Sequence, residues 1–453
     1  MLKVGGNISG IRGIVRPGAL LLLVSLFFMV RPVQSQNFTE VDKNTYELYM
    51  SGDWAALVQA GKSALKQDID YYFLRMRIGV GYYEQKNYKS AQSHFKKALA
   101  FNAGDLVALE YLYYSYLFGG QAQQAALMYD KFSESMKEKL PDPGLKPVDG
   151  ISVEYLNSSS NTDGLIADPA TFEDLPTGYQ IISSSYNNLN IGLSHFMHPG
   201  TSFKHAYTYL GKSNYYYSDD GINRIAIGDQ KVRQHQYYLS PSFTTGGGLV
   251  ISPSFHFVHV GFQIPYLTGG GIAYVDGTDN QMVGGLALAK FQGPFKIRLG
   301  AIYSNFNNAD QVTGSAGLTW YPLGNLDVYL GASVNAHWED LNKSGLSMIQ
   351  DFIFGYGIAS KVWIEISAAG GNMKNYTESN GYIVYNGLDW MRYKVLGTIM
   401  VPLTKKGSAI YAGLRYADYS SGMIPLDSSL SGEIINELNY NSTSFFGGLS
   451  WKF

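Results

Sequence analysis

From Val148 to the last residue, Phe453, apolar and polar side chains alternate in one segment after another. The ending shows the pattern most plainly. Phe445, Leu449, Trp451 and Phe453 fall on one face with Gly447 between them, and Ser444, Gly448, Ser450 and Lys452 fall on the other. Side chains of a strand point alternately to opposite faces, so such a segment is apolar on one side and polar on the other. One alternating segment fits any half-buried strand. Fourteen can be counted between turn signals, near residues 149–157, 181–197, 202–217, 231–244, 249–262, 281–291, 295–305, 313–321, 326–338, 347–358, 361–373, 387–401, 408–419 and 438–453. If strands in that number face lipid they must close into a barrel, because hydrocarbon cannot satisfy an open edge.

Other features narrow the choice. No stretch reaches eighteen apolar residues, so the sequence predicts no membrane-spanning helix. Charged residues are 15% and aromatic residues 14%, with 36 tyrosines, a balance suited to barrel walls with aromatic girdles. The formal net charge of -2 offers no field for nucleic acid. The absence of cysteine excludes disulfides, thiolate metal sites, a thiol nucleophile and a lipidated anchor. At the N-terminus Lys3, Arg12 and Arg16 precede an apolar run from Ala19 to Val30, and Val33-Gln34-Ser35 follows. This is the layout of a cleaved secretory signal over residues 1–35.

The apolar-out, polar-in closing strand that ends on Phe453 resembles the terminal strand of bacterial outer-membrane barrels. That resemblance implies contact with outer-membrane lipid and recognition of Phe453 by the barrel-assembly machinery. Joins after even-numbered strands are short, as at His198-Pro199-Gly200, Gly246 to Gly248 and Gln292-Gly293-Pro294. Most joins after odd-numbered strands are longer, as at Ser158 to Gln180, Ser218 to Gln230, Gln263 to Asn280, Lys374 to Asn386 and Ser420 to Glu437. Short periplasmic turns and long outer loops would put both ends of the barrel in the periplasm.

Between residues 36 and 140 the period becomes helical. Ile78, Gly79 and Tyr82 precede Ala91, Phe95 and Ala98, and 34 residues later Leu112, Tyr113 and Tyr116 precede Ala125, Tyr129 and Phe132. A degenerate copy with Leu48, Leu57, Gly61 and Ala64 stands 34 residues earlier. The pattern resembles the tetratricopeptide repeat, and three such units form a short solenoid. The resemblance implies a partner-binding groove lined by Met76, Val80, Tyr83 and Glu84 and by Glu110, Tyr114, Leu117 and Phe118. A bland alternative is that these residues pack against the barrel. Three prolines in residues 141–147 make a stiff linker. The expected fold class is therefore α+β multidomain: signal (1–35), α-solenoid (36–140), linker (141–147) and an antiparallel transmembrane β-barrel (148–453) of fourteen strands, with twelve or sixteen as the alternatives.

Alternation assigns the faces. Phe295, Ile297, Leu299, Ala301 and Tyr303 face lipid, so Lys296 and Arg298 face the lumen. The same reasoning turns His337, Lys361, Glu365, Arg392, Lys394 and Arg415 inward. A charge at the lipid midplane costs about 2–4 kcal/mol, so an outward Arg298 or Arg392 would overturn the assignment. Such a lumen would hold or pass anionic solutes, unless Glu365 pairs with Arg392 or Lys394 and the charges fill the barrel. His195, His198, His256 and His259 form two His-x-x-His pairs, but residues three apart on a strand point to opposite faces, so no metal site is expected. No catalytic signature and no cofactor motif stands out. At the level of domain order the chain resembles repeat-plus-barrel exporters of the Gram-negative outer membrane. Three functions follow as expectations: an export barrel whose repeats recruit a periplasmic protein or peptide, a non-conducting scaffold that anchors the repeats, and an outer-membrane enzyme as the weakest.

Overall fold

A computed structural model describes residues 38–143, 145–166, 172, 175–342, 345–358, 361–404, 407–427 and 435–453. The signal expected over residues 1–35 lies outside them. Six helices come first: α1 (Phe38–Ser51), α2 (Trp54–Leu65), α3 (Tyr72–Glu84), α4 (Tyr88–Phe101), α5 (Leu106–Phe118) and α6 (Ala122–Tyr129). A single turn, α7 (Glu134–Lys137), follows.

The helices form three pairs whose inner turns repeat. Gly52, Lys86 and Gly120 all take positive φ, at +71°, +58° and +72°, and stand 34 residues apart. One residue on, Asp53 and Asn87 accept the amides of Ala56 and Ser90, each at 3.1 Å, and so cap α2 and α4. Small residues let the pairs close. A Cβ on Gly79 would lie 2.6 Å from the Phe95 ring, and Ala91, Phe95, Ala98 and Ala125 are fully buried. This packing, not helix propensity, holds such short helices together.

The barrel strands are β1 (Val148–Ser160), β2 (Gly178–His198), β3 (Thr201–Asp219), β4 (Arg224–Thr244), β5 (Leu249–Thr268), β6 (Gly271–Gln292), β7 (Phe295–Ser304), β8 (Gln311–Trp320), β9 (Val328–Trp338), β10 (Leu346–Ile358), β11 (Val362–Met373), β14 (Trp390–Pro402), β15 (Ala409–Pro425) and β16 (Ile435–Lys452). A short helical turn, α8 (Asp163–Ile166), follows β1, and two short strands, β12 (Tyr376–Glu378) and β13 (Ile383–Tyr385), lie between β11 and β14. The fourteen long strands pair in sequence order, all antiparallel, and β1 closes on β16 from Gly150↔Lys452 to Ser160↔Ser442. Outward residues form an apolar band that includes Ile151, Leu193, Leu286, Leu299, Leu318, Leu330, Phe352, Ile399, Leu414 and Phe445, all exposed. That is the exterior of a membrane-spanning barrel.

Two expected outer loops are strands. β5 and β6 stay paired to Thr268↔Gly271, and β3 and β4 to Asp219↔Arg224. At about 3.3 Å per residue and a tilt near 40°, the 22 residues of β6 rise ~50 Å, against an apolar band of about 25 Å. The outer half of this wall therefore stands clear of the membrane. Lys374 to Asn386 is not an outer loop either: it contains the β12–β13 hairpin.

Phe95 is fully buried in the larger of the two cores of the helical region. Replacing Phe95 with Ala should lower the stability of the helical region by about 3–5 kcal/mol. The denaturant transition of the helices should shift while the heat-modifiable electrophoretic mobility of the barrel stays unchanged.

Candidate functional site in the barrel lumen

The β12–β13 hairpin turns inward. Asn375, Ser379, Asn380 and Gly381 adopt positive φ, which forms its entry and its tight tip. Round the ring, β5 is six strands from β11 and seven from β14, so it lies diametrically opposite the hairpin's root. The tip reaches it. Asn380 Nδ2 donates to Ser252 O (2.9 Å), Ser254 Oγ donates to Asn380 O (2.7 Å), and His256 Nδ1 donates to Gly381 O (2.8 Å). Ser252 is three positions into β5 from Leu249, so the tip also descends toward the end that carries the short turns.

The flanks are fastened too. Tyr382 OH donates to Asn190 on β2 (2.8 Å), and the Lys204 ammonium of β3 sits 4.2 Å from the Tyr382 ring centroid. On the other side Asn386 Nδ2 donates to Gln281 (2.6 Å) while Gln234 donates to Asn386 (3.1 Å), and Asn307 donates to Asn375 (2.7 Å). The root is anchored by His337, whose Nε2 donates to Lys374 O (3.0 Å). Its Nδ1 then accepts from Thr313 (2.9 Å). Lys394 donates to Glu378 (2.5 Å) and to Tyr385 OH (2.8 Å). The hairpin is a strap across the lumen, tied to walls on all sides.

Above the strap the outer mouth narrows. Where β1 and β16 have ended, β15 pairs directly with β2, at Ile424↔Tyr179 and Pro425↔Gly178. Phe172 stacks there on Tyr217 with 4.5 Å between centroids, beside Ile182 and Met423.

Below it, two lumen carboxylates are held by the same device. Tyr329, Gly355 and Glu365 lie in one cross-strand row, and the Tyr329 hydroxyl donates to Glu365 across the glycine. A Cβ on Gly355 would lie 2.1 Å from the Tyr329 ring, so only glycine admits the crossing. Tyr411, Gly448 and Glu154 repeat the arrangement on β15, β16 and β1, with a Cβ at Gly448 lying 2.5 Å from the Tyr411 ring.

The helical region sits on the short turns. The Lys89 amide donates to Gly324 O (2.9 Å), and Gly324, at φ +67°, leaves room for Asn87. Gln123 donates to Ser202 (3.0 Å) and accepts from Thr244 (2.7 Å). The Lys89 side chain is 1% exposed. Its Nζ donates to Gly119 O and Gln121 Oε1 and lies 3.3 Å from the centroid of Phe291, an inward residue at the short-turn end of β6. Burial, and secondarily the Lys296 ammonium, push the Lys89 amine down to about 7.

Of the expected lumen residues, the structure brings His337 and Lys394 to the strap and Glu365 to Tyr329. Glu365 does not pair with Arg392 or Lys394. Lys296 and Arg298 face the lumen between the outward Ile297 and Leu299, and Arg415 donates to Ser444 (3.0 Å) over the Tyr186 ring. Two expectations fail. Lys361 lies in the turn before β11 and is exposed there. Arg392 turns outward and pairs with Asp418 (Nε to Oδ1 2.9 Å), because a bulge between Met391 and Tyr393 reverses the alternation. It is the third residue of β14, so the pair sits at the outer rim rather than the midplane.

Among the groove candidates, Met76 and Val80 are buried in the helical core. Tyr83, Tyr114, Leu117 and Phe118 do gather, with Tyr114 stacked on Phe118 at 5.8 Å, and Glu84 and Glu110 are exposed. The reading of the sequence missed the strap and Lys89. Asn380-Gly381 between Tyr376-Thr377-Glu378 and Ile383-Val384-Tyr385 is a hairpin signal. Nothing in it tells an inward hairpin from an outward one, and nothing local marks Lys89.

No protein-family model matches the chain, and no curated protein matches it. Solved structures resemble it loosely. The beta domain of the Bordetella autotransporter BrkA is 12% identical, with 68% of this chain and 100% of that chain covered and a TM-score of 0.30. The P. putida toluene transporter TodX is 10% identical, with 73% and 94% covered and a TM-score of 0.40. A Pseudomonas aeruginosa FadL homologue is 9% identical, with 67% and 90% covered and a TM-score of 0.39. Scores this low carry no functional argument.

A lysine deprotonated more easily when docked than when free makes docking pH-dependent. Its docked value is depressed, so the undocked state binds more protons above about 7, and docking strengthens as pH rises from there toward the ordinary lysine range. Protease protection of the loops at Gly120 and Gly324 should increase between pH 7 and 10, and Lys89→Met should abolish that slope.

Proposed function

We propose that this is an outer-membrane transport barrel captured in a closed resting state, with its helical region in the periplasm and the strap as its internal gate. The observation that carries the reading is the chemistry of the strap's tip. Asn380, Gly381 and Tyr382 are held by five hydrogen bonds to β2, β4 and β5 and by the edge of the Tyr238 ring on Tyr382, rather than by an interlocked apolar core. Net hydrogen bonds are worth about 0.5–1.5 kcal/mol each, so freeing the tip costs roughly 3–8 kcal/mol. A ligand or partner can supply that by differential binding. The three helix pairs, with their 34-residue recurrence, support a tetratricopeptide-like array, and the aromatic cluster of Tyr83, Tyr114 and Phe118 is the surface we assign to a periplasmic protein or peptide. The reading assigns no catalysis.

One observation favours a second reading, a non-conducting scaffold that anchors the helices: the lumen is crossed at mid-height and pinched at its outer mouth. Removing residues 375–386 separates the two. In planar bilayers the intact protein should be nearly silent and the shortened barrel should carry steady current. Silence in both, with the barrel folded, would establish the scaffold instead.

A further inference from the structure

We propose that Lys296 and Arg298 form an oxyanion-binding step in the periplasmic vestibule, between the docked helices and the strap, for solutes that carry a phosphate or carboxylate group. The proposal deepens the transport reading and rests on it for the route by which a solute arrives.

Charge in the vestibule is unevenly paired. Four of the carboxylates described in the lumen are engaged by the protein itself. Glu365 is held by Tyr329, Glu154 by Tyr411 and Glu378 by Lys394, and Asp351 accepts from Ser333 (3.0 Å) and Asn335 (2.5 Å). The cations on β7 are treated differently. Among the described residues neither Lys296 nor Arg298 lies within ion-pair distance of a carboxylate. Lys296 has an aromatic ring for company, Phe291 at 5.5 Å, and that ring already carries the Lys89 ammonium at 3.3 Å.

Two positive groups from the barrel wall thus converge on one corner of the vestibule, joined by a third from α4 whenever Lys89 is protonated. Gathering like charges without a counter-ion is unfavourable, and an arriving anion relieves it. Lys89 is sealed in the interface, so it contributes field rather than contact. Lys296 is half-buried, and Arg298 is exposed to the lumen and extends over Gly317, where a Cβ would stand 3.7 Å from its Nε. An unpaired guanidinium offers two parallel N–H donors to one oxyanion, and the neighbouring ammonium adds a point charge. The Lys296 ammonium also repels that of Lys89, so an anion bound here would tighten the docking of the helices.

The test is calorimetry in detergent at constant ionic strength, with inorganic pyrophosphate and citrate as separate probes for phosphate and carboxylate. It is run on the full chain and on the chain lacking residues 375–386, so that access past the strap is controlled. We expect at least one probe to bind, and the double variant Lys296→Gln/Arg298→Gln to bind it at least tenfold more weakly, with heat-modifiable mobility showing the barrel folded. Arg298→Lys should restore binding in part. Unchanged binding in the double variant, or no binding of either probe by either chain, overturns the site. Because binding is read without current, loss of the site leaves the transport reading to the bilayer experiment, and a silent but anion-binding barrel removes transport while keeping the site.

Discussion

The pairing of β1 with β16 is the constraint on which the rest depends. Between them they join the start and end of the barrel over Gly150 to Ser160, and without that seam two strand edges would face lipid with their amides and carbonyls unsatisfied. The seam also sets orientation. Val148 and Lys452 end on the same rim, where Lys452 pairs with Asp149 and the Phe453 amide donates to Asp149 O (3.1 Å). The polypeptide that precedes β1 must therefore emerge on that rim, beside the short turns. The helices pack on those turns and use four of them, at Gly200, Gly248, Gly293 and Gly324 or residues next to these.

Closing fourteen strands creates a second problem. An eight-stranded barrel is filled by its own side chains, and one of sixteen or more leaves an aqueous channel. Fourteen strands leave a space that wall side chains cannot fill. Here the chain spends a connection on it. The strap brings its own polar groups to a polar wall, so asparagine and glutamine amides answer one another at Asn386, Gln281 and Gln234. Glycine shapes what remains. At Gly355 and Gly448 the missing side chain lets a tyrosine lie flat along the wall and reach a carboxylate two strands away. These crossings tie up negative charge within the lumen and leave the cations of β7 unanswered.

Much of this architecture can be read from the order of residues, because a two-residue period states which side of a wall each side chain joins. Ile297, Leu299 and Tyr303 are exposed outside, and His337 is buried inside, as alternation requires. The count of fourteen strands is legible for the same reason. What alternation cannot carry is its own interruption. A single bulge at Arg392 turns a lumen cation to the outer rim, and nothing in the residues around it distinguishes that position from a regular one. Nor can a local pattern state the direction in which a loop folds. The turn at Asn380-Gly381 announces a hairpin, but its descent to Ser252 depends on the opposite wall, 128 residues away. The strands at Gln263 to Asn280 fail differently: they continue past the membrane, where burial no longer enforces alternation.

The interface between helices and barrel shows how a buried charge can be tolerated without a counter-ion. Removing an ammonium from water costs several kcal/mol, and a nearby carboxylate is the usual remedy. Lys89 has none within ion-pair distance among the described residues; it has instead a carbonyl at Gly119, an amide oxygen at Gln121 and the face of Phe291. Carbonyl dipoles and a ring quadrupole recover part of the lost hydration, and a depressed proton affinity recovers more by letting the group become neutral. A methionine would fill the same volume with no such cost. The difference is that a methionine would bind the rim equally at every pH, whereas the amine makes the grip of the helices depend on the proton and on whatever charge occupies the vestibule beside it.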